Sequence, residues 1–88
     1  MSDAPNFQAL MAGKRLSKAF GAVLQRHRMR SGLSQEALAA KAGVHRTHVG
    51  LVERGERNAS LDVAHSLAQA LATPLSKLIR ETEQAMSR

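Results

Sequence analysis

The segment Ser34-Gln35-Glu36-Ala37-Leu38-Ala39-Ala40-Lys41-Ala42-Gly43-Val44-His45-Arg46-Thr47-His48-Val49-Gly50-Leu51-Val52-Glu53-Arg54-Gly55 decides the fold. Ser34 is a favoured helix N-cap, and Gln35 and Glu36 directly after it suit the positive end of a helix dipole. Gly43 stops that helix after about two turns, because a glycine readily takes the left-handed conformation that closes a helix. A second helix follows almost at once, over about residues 46–54, with Val49 and Val52 facing inward and Gly55 behind it. Each helix is too short to stand alone in water, so the pair must pack against neighbours.

Those neighbours are legible on both sides. Upstream, residues 14–30 read as a helix that places Leu16, Phe20, Val23 and Leu24 on one face and Lys18, Arg26 and Arg30 elsewhere, ended by Ser31-Gly32. Residues 1–13, with Pro5 and Gly13, show no periodicity and read as a loose N-terminal arm or a short packed segment. Downstream, the polar loop Gly55–Ser60 leads to a fourth helix, capped by Ser60 and striped by Leu61, Ala64, Leu67, Ala68 and Leu71. Thr73 as N-cap and Pro74 as first helical residue start a fifth, presenting Leu75, Leu78 and Ile79 and reaching Met86. The expectation is an all-α, five-helix domain over residues 14–88, with two short helices in helix-turn-helix spacing as its second and third.

Composition agrees. Eighty-eight residues suffice for one domain, and with Phe7 and Phe20 the only aromatic residues its core must be aliphatic. A core this small is marginal and there is no cysteine to reinforce it, so dimerisation is a natural remedy. Leu75, Leu78 and Ile79 exceed what a four-helix core needs and are the expected homodimer surface. No apolar run is long enough to span a bilayer and no signal peptide is legible, so the expected location is cytoplasmic, away from membranes.

Charge narrows the partner. The chain carries +6, and residues 14–57 hold ten basic side chains against Glu36, Glu53 and Glu56, a net of +7. The positive field therefore belongs to the part containing the two short helices, as a polyanion-facing surface would require. Enzymatic readings find no support: there is no Gly-rich phosphate loop, no G-x-S-x-G and no acidic pair at catalytic spacing. His45 and His48 lack nearby Cys or acidic partners, so no metal and no cofactor is expected.

The run Arg28-x3-Gly32-Leu33-Ser34-Gln35-Glu36-x-Leu38-Ala39-x2-Ala42-Gly43-Val44, continued by His45-Arg46-Thr47 and Glu53-Arg54-Gly55, resembles the Cro/repressor-type helix-turn-helix family of phage and bacterial regulators. Within it, His45-Arg46-Thr47-His48, Glu53-Arg54 and Arg57-Asn58-x-Ser60-Leu61 resemble the controller proteins of restriction–modification systems, short dimeric regulators. The resemblance implies a repressor-type fold, double-stranded DNA as partner, a phosphate contact for Gln35 and a structural ion pair between Arg28 and Glu53. Two positions depart from the controller pattern: His48 stands where tyrosine is common, and Ala59 where many relatives have proline. An antitoxin or protein-interaction module built on the same fold is the alternative, which the basic charge before residue 58 disfavours.

The residues support the same division of labour. A reading helix offers polar side chains to the major groove from its first turn, here Arg46, Thr47 and His48. The Arg46 fork matches the O6 and N7 acceptors of guanine. Thr47 can donate to a base edge, pack its methyl on thymine or help cap its helix, and His48 can meet a base or a phosphate. Gln35 sits at a helix N-terminus whose free N–H groups favour phosphate, and Arg54, Arg57 and Asn58 are the expected second phosphate clamp. Gly50 is expected on the outer side, where the missing side chain would let the helix approach DNA closely.

Overall fold

The computed structural model describes residues 6–87, which form five helices and no strand. They are α1 (Phe7–Arg30), α2 (Gln35–Ala42), α3 (Arg46–Glu53), α4 (Leu61–Ala70) and α5 (Leu75–Met86). The caps explain most boundaries. Ser34 Oγ accepts from the Ala37 N–H at 3.0 Å to open α2, and Ser60 Oγ accepts from the Val63 N–H at 3.1 Å to open α4. Gly43 closes α2 at φ 71°, a conformation that a side chain would strain.

The start of α1 differs from expectation. The helix begins at Phe7 rather than near Lys14, because Asn6 Oδ1 accepts from the Ala9 N–H at 2.7 Å and supplies a cap. Gly13 lies inside this helix, so helix replaces the expected arm from Phe7 onward; residues 1–5 lie outside the described residues. Every residue from Asn6 to Leu16 is exposed, so the first part of α1 overhangs the domain. The start of α5 is also corrected: Pro74 is the N-cap with extended backbone and Leu75 the first helical residue, while the Thr73 hydroxyl donates to the Leu71 carbonyl.

The core is aliphatic apart from Phe20. Val23 and Leu24 of α1, Leu38 of α2, Val49 and Val52 of α3, Leu67 of α4 and Leu78 of α5 are all essentially solvent-free. Burying one such side chain stabilises by about 1.5–3 kcal/mol, so this cluster dominates the fold. Leu78, expected at a dimer surface, is 0% exposed and belongs to that core. The stripe that gave it to a partner is the one that packs α5 against α1. Leu75 also packs on the core, and Ile79 alone of the three is exposed. Conversely, Leu16 and Leu61, expected on buried faces, are 46% and 76% exposed. A second tie joins α1 to α5, where Glu81 accepts from Arg26 at 2.8 Å and lies 3.0 Å from His27 Nε2.

Candidate nucleic-acid interface

The site is built from the C-terminal end of α3 outward. Gly21 of α1 lets the two backbones meet: a Cβ there would stand 2.3 Å from the Val52 carbonyl oxygen and 2.5 Å from that of Glu53. Beside this contact the Glu53 carboxylate is fully buried and receives Arg28 at 2.6 Å and 3.1 Å through two guanidinium nitrogens. Arg28 also donates to the Leu33 carbonyl at 2.8 Å, tying the α1–α2 turn into the same knot. Gln35 Nε2 donates to Glu53 Oε1 at 2.9 Å, and Gln25 Nε2 approaches the same oxygen at 3.4 Å. A buried carboxylate with four donors, at least one on each oxygen, is a rigid anchor, because these hydrogen bonds replace the water that it has lost.

The knot fixes how α2 and α3 present their N-termini. Arg46 and Thr47, at the free end of α3, are exposed, and neither joins an ion pair among the described residues. His48 sits differently: it is half-buried, and its Nε2 is shielded from solvent without a hydrogen-bond partner among the described residues. The Gln35 amide nitrogen is engaged by Glu53, so what it offers outward is its second N–H and the backbone N–H groups opening α2. Gly50, expected to lie open, is buried. A Cβ there would stand 3.3 Å from Arg54 Nη1 and 3.5 Å from Gln35 Oε1, so these two side chains roof it.

The loop after α3 carries Arg54, Arg57 and Asn58, all exposed. Arg54 is held by Glu56 at 2.5 Å, an exposed pair that a phosphate can displace because such pairs contribute little in water. Asn58 accepts a hydrogen bond from the Ser17 hydroxyl, which leaves its amide N–H groups free to donate outward. Ser17 and Gln25 were missed in sequence; both act through contacts 28 or more residues away in the chain, which no local pattern reports. Lys14 and Lys18, one turn apart on α1 and facing this loop, did carry a signal in their spacing.

Among the described residues no three His, Asp or Glu side chains converge as a metal would need, and no helix is long and apolar enough to cross a membrane.

Comparison with known proteins agrees with this geometry. The helix-turn-helix domain family matches residues 19–78. The control protein C.SmaI of Serratia marcescens is 51% identical over 49 residues, 56% of this chain, and the match spans 58% of that relative's length. The control protein C.BamHI of Bacillus amyloliquefaciens is 38% identical over 61 residues, covering 68% of this chain and 75% of that one. The crystal structure of the restriction–modification controller protein C.AhdI from Aeromonas hydrophila superposes with a TM-score of 0.68 at 46% identity, covering 69% of this chain and 92% of that one. With its two short helices locked by a buried ion pair and its basic first turn left free, the chain belongs to the helix-turn-helix domain family of DNA-binding transcriptional regulators.

Proposed function

We propose that this chain is a sequence-specific transcriptional regulator of the cytoplasm that binds a pseudo-palindromic operator as a homodimer, in the manner of a restriction–modification controller. The observation that carries the reading is the contrast within α3: Arg46 and Thr47 stand free at one end while Glu53 is immobilised at the other. Arg46 reads guanine through its fork and Thr47 a neighbouring base edge. His48, half-buried, supports that edge from behind. The α2 N-terminus at Gln35, together with Arg54, Arg57 and Asn58, grips the phosphates on either side. The identity to C.SmaI, C.BamHI and C.AhdI, at 51%, 38% and 46%, supports the controller role.

The dimer surface shifts from the one the sequence suggested. Leu16 of α1, Leu61 of α4 and Ile79 of α5 are exposed around a groove of about 320 Å³ floored by Phe20, Ala59 and Ala64. A second copy seated there would cover all three. Selection of duplexes from a random pool tests the whole reading. The expected result is a two-fold symmetric site with half-sites about one helical turn apart, roughly 34 Å. Enrichment of no site, or of an asymmetric one, would overturn it. Sedimentation of Leu61→Lys, which leaves the monomer core untouched, should show a monomer where the parent protein is a dimer.

A further inference from the structure

We propose that the overhanging first part of α1 is a second DNA-backbone clamp, in which Lys14 and Lys18 bind a phosphate just beyond those held by the loop after α3. The inference rests on the reading of the chain as a DNA-binding regulator and extends it to a segment outside the family match, which begins at residue 19.

A cleft of about 780 Å³ lies between this overhang and that loop, lined on one side by Leu10, Lys14 and Lys18 and on the other by Arg54, Glu56 and Asn58. Three cations face one carboxylate there, and the carboxylate is already paired with Arg54. The remaining field is positive and comes from Lys14 and Lys18, whose ammonium groups are strongly hydrated point charges suited to phosphate. The chemistry complementary to such a cleft beside a reading helix is the anionic backbone of the same duplex.

Placement makes the clamp more than a scatter of surface lysines. Gly55 lies so close to α1 that a Cβ on it would stand 2.8 Å from the Lys18 Cα, and its φ of 73° turns the loop onto the helix at that point. One residue earlier, the Ser17 hydroxyl hydrogen-bonds Asn58. Two contacts, both at the base of the overhang, thus fix the register between α1 and the loop. Wherever Arg57 and Asn58 meet a phosphate, Lys14 and Lys18 are carried to the same flank without a search of conformations. Pre-organisation of this kind raises affinity by removing the ordering cost of binding.

The test compares the full chain with a Lys14→Gln/Lys18→Gln variant on the duplex recovered by selection and on an unrelated duplex, as a function of salt. Each phosphate contact contributes about 0.9 to the slope of log K against log salt, so the variant's slope should fall by about 1–2 on both duplexes, with base preference unchanged. Hydroxyl-radical footprinting should lose protected sugars at the outer or inner edge of each half-site. A Lys77→Gln/Arg80→Gln variant, with the same charge change on exposed positions of α5, should keep the parent slope. Helix content and unfolding midpoint are read alongside, since exposed substitutions should move neither. An unchanged slope and footprint in the folded Lys14/Lys18 variant overturns the clamp. So does an equal loss in the α5 variant, which would report net charge alone, or a loss of self-association at constant slope, which would assign the overhang to a second copy. If the parent chain itself binds no duplex with steep salt dependence, the underlying reading fails and the clamp falls with it.

Discussion

The two ends of α3, an eight-residue helix, could hardly be treated more differently. At its C-terminal end Val52 and Glu53 are buried and pressed against the Gly21 backbone, and the Glu53 carboxylate accepts from Arg28, Gln35 and Gln25. At its N-terminal end Arg46 and Thr47 are exposed. The difference teaches how a very small domain can hold a polar reading edge ready. An eight-residue helix has no intrinsic stability, so its free end is only as well placed as its fixed end is rigid. On the proposed reading, stability and recognition therefore fall to opposite ends of one element, and substitutions should separate them.

Breaking the fixed end should have the largest effect. Arg28→Ala or Glu53→Ala leaves a charge unpaired in the interior, and about 3–5 kcal/mol should be lost in urea unfolding. Against a total of roughly 4–13 kcal/mol for a chain of this length, that is a quarter of the stability at the high end and all of it at the low end. Gly21→Ala should come next, at about 1–3 kcal/mol, because α1 and α3 must separate to admit the methyl group. A Gly21→Ala variant with parent-like stability would show that the α1–α3 contact is not the anchor it is taken to be. At the free end, Arg46→Ala should change stability by less than about 0.5 kcal/mol. It should lose about 1–3 kcal/mol of discrimination at one base pair per half-site, read by binding to a panel of single-base variants. A uniform loss across that panel would instead make Arg46 a phosphate contact.

The smallest expected effect lies far from both ends. His27, and after it Arg26, hydrogen-bond the Glu81 carboxyl and hold its pKa below the ordinary glutamate value. A lowered folded-state pKa gives stability that is present above the unfolded value and lost as pH falls through the folded one. Glu81→Gln should thus be less stable than the parent at neutral pH, by about 0.2–1 kcal/mol given the exposure of Arg26. The gap should close on acidification below about pH 4. Equal gaps at pH 7 and pH 3 would remove the ion pair from the account.

Much of this was legible in the sequence for a local reason. Caps and glycine stops act within a few residues, so Ser34, Gly43 and Ser60 mark α2 and α4 without knowledge of the fold. What escaped was set by distance in the chain. A stripe such as Leu75, Leu78 and Ile79 shows that a helix has an apolar side but not whether its own core or another copy will cover it. Packing gave Leu78 to the core and left Leu16 and Leu61 outside. The start of α1 was hidden because a helix exposed on all sides has no periodicity to detect, and its one signal was Asn6 three residues before Ala9. At the interface, the free partners of Arg46 and Thr47 followed from their place in the first turn. The engagement of Gln35 by Glu53 needed the tertiary contact.

The roof over Gly50 has a consequence for how such a protein changes over time. With Arg54 and Gln35 closing over that position, an alanine fits only if the guanidinium yields a few tenths of an ångström, and a longer side chain needs a larger shift of both. Residue 50 is thus epistatically tied to residues 35 and 54, whereas 46 and 47 are exposed and carry no such tie. On the proposed reading, drift toward new operators is channelled first through the two free positions. The middle of the helix becomes available to mutation only after the loop behind it has already changed.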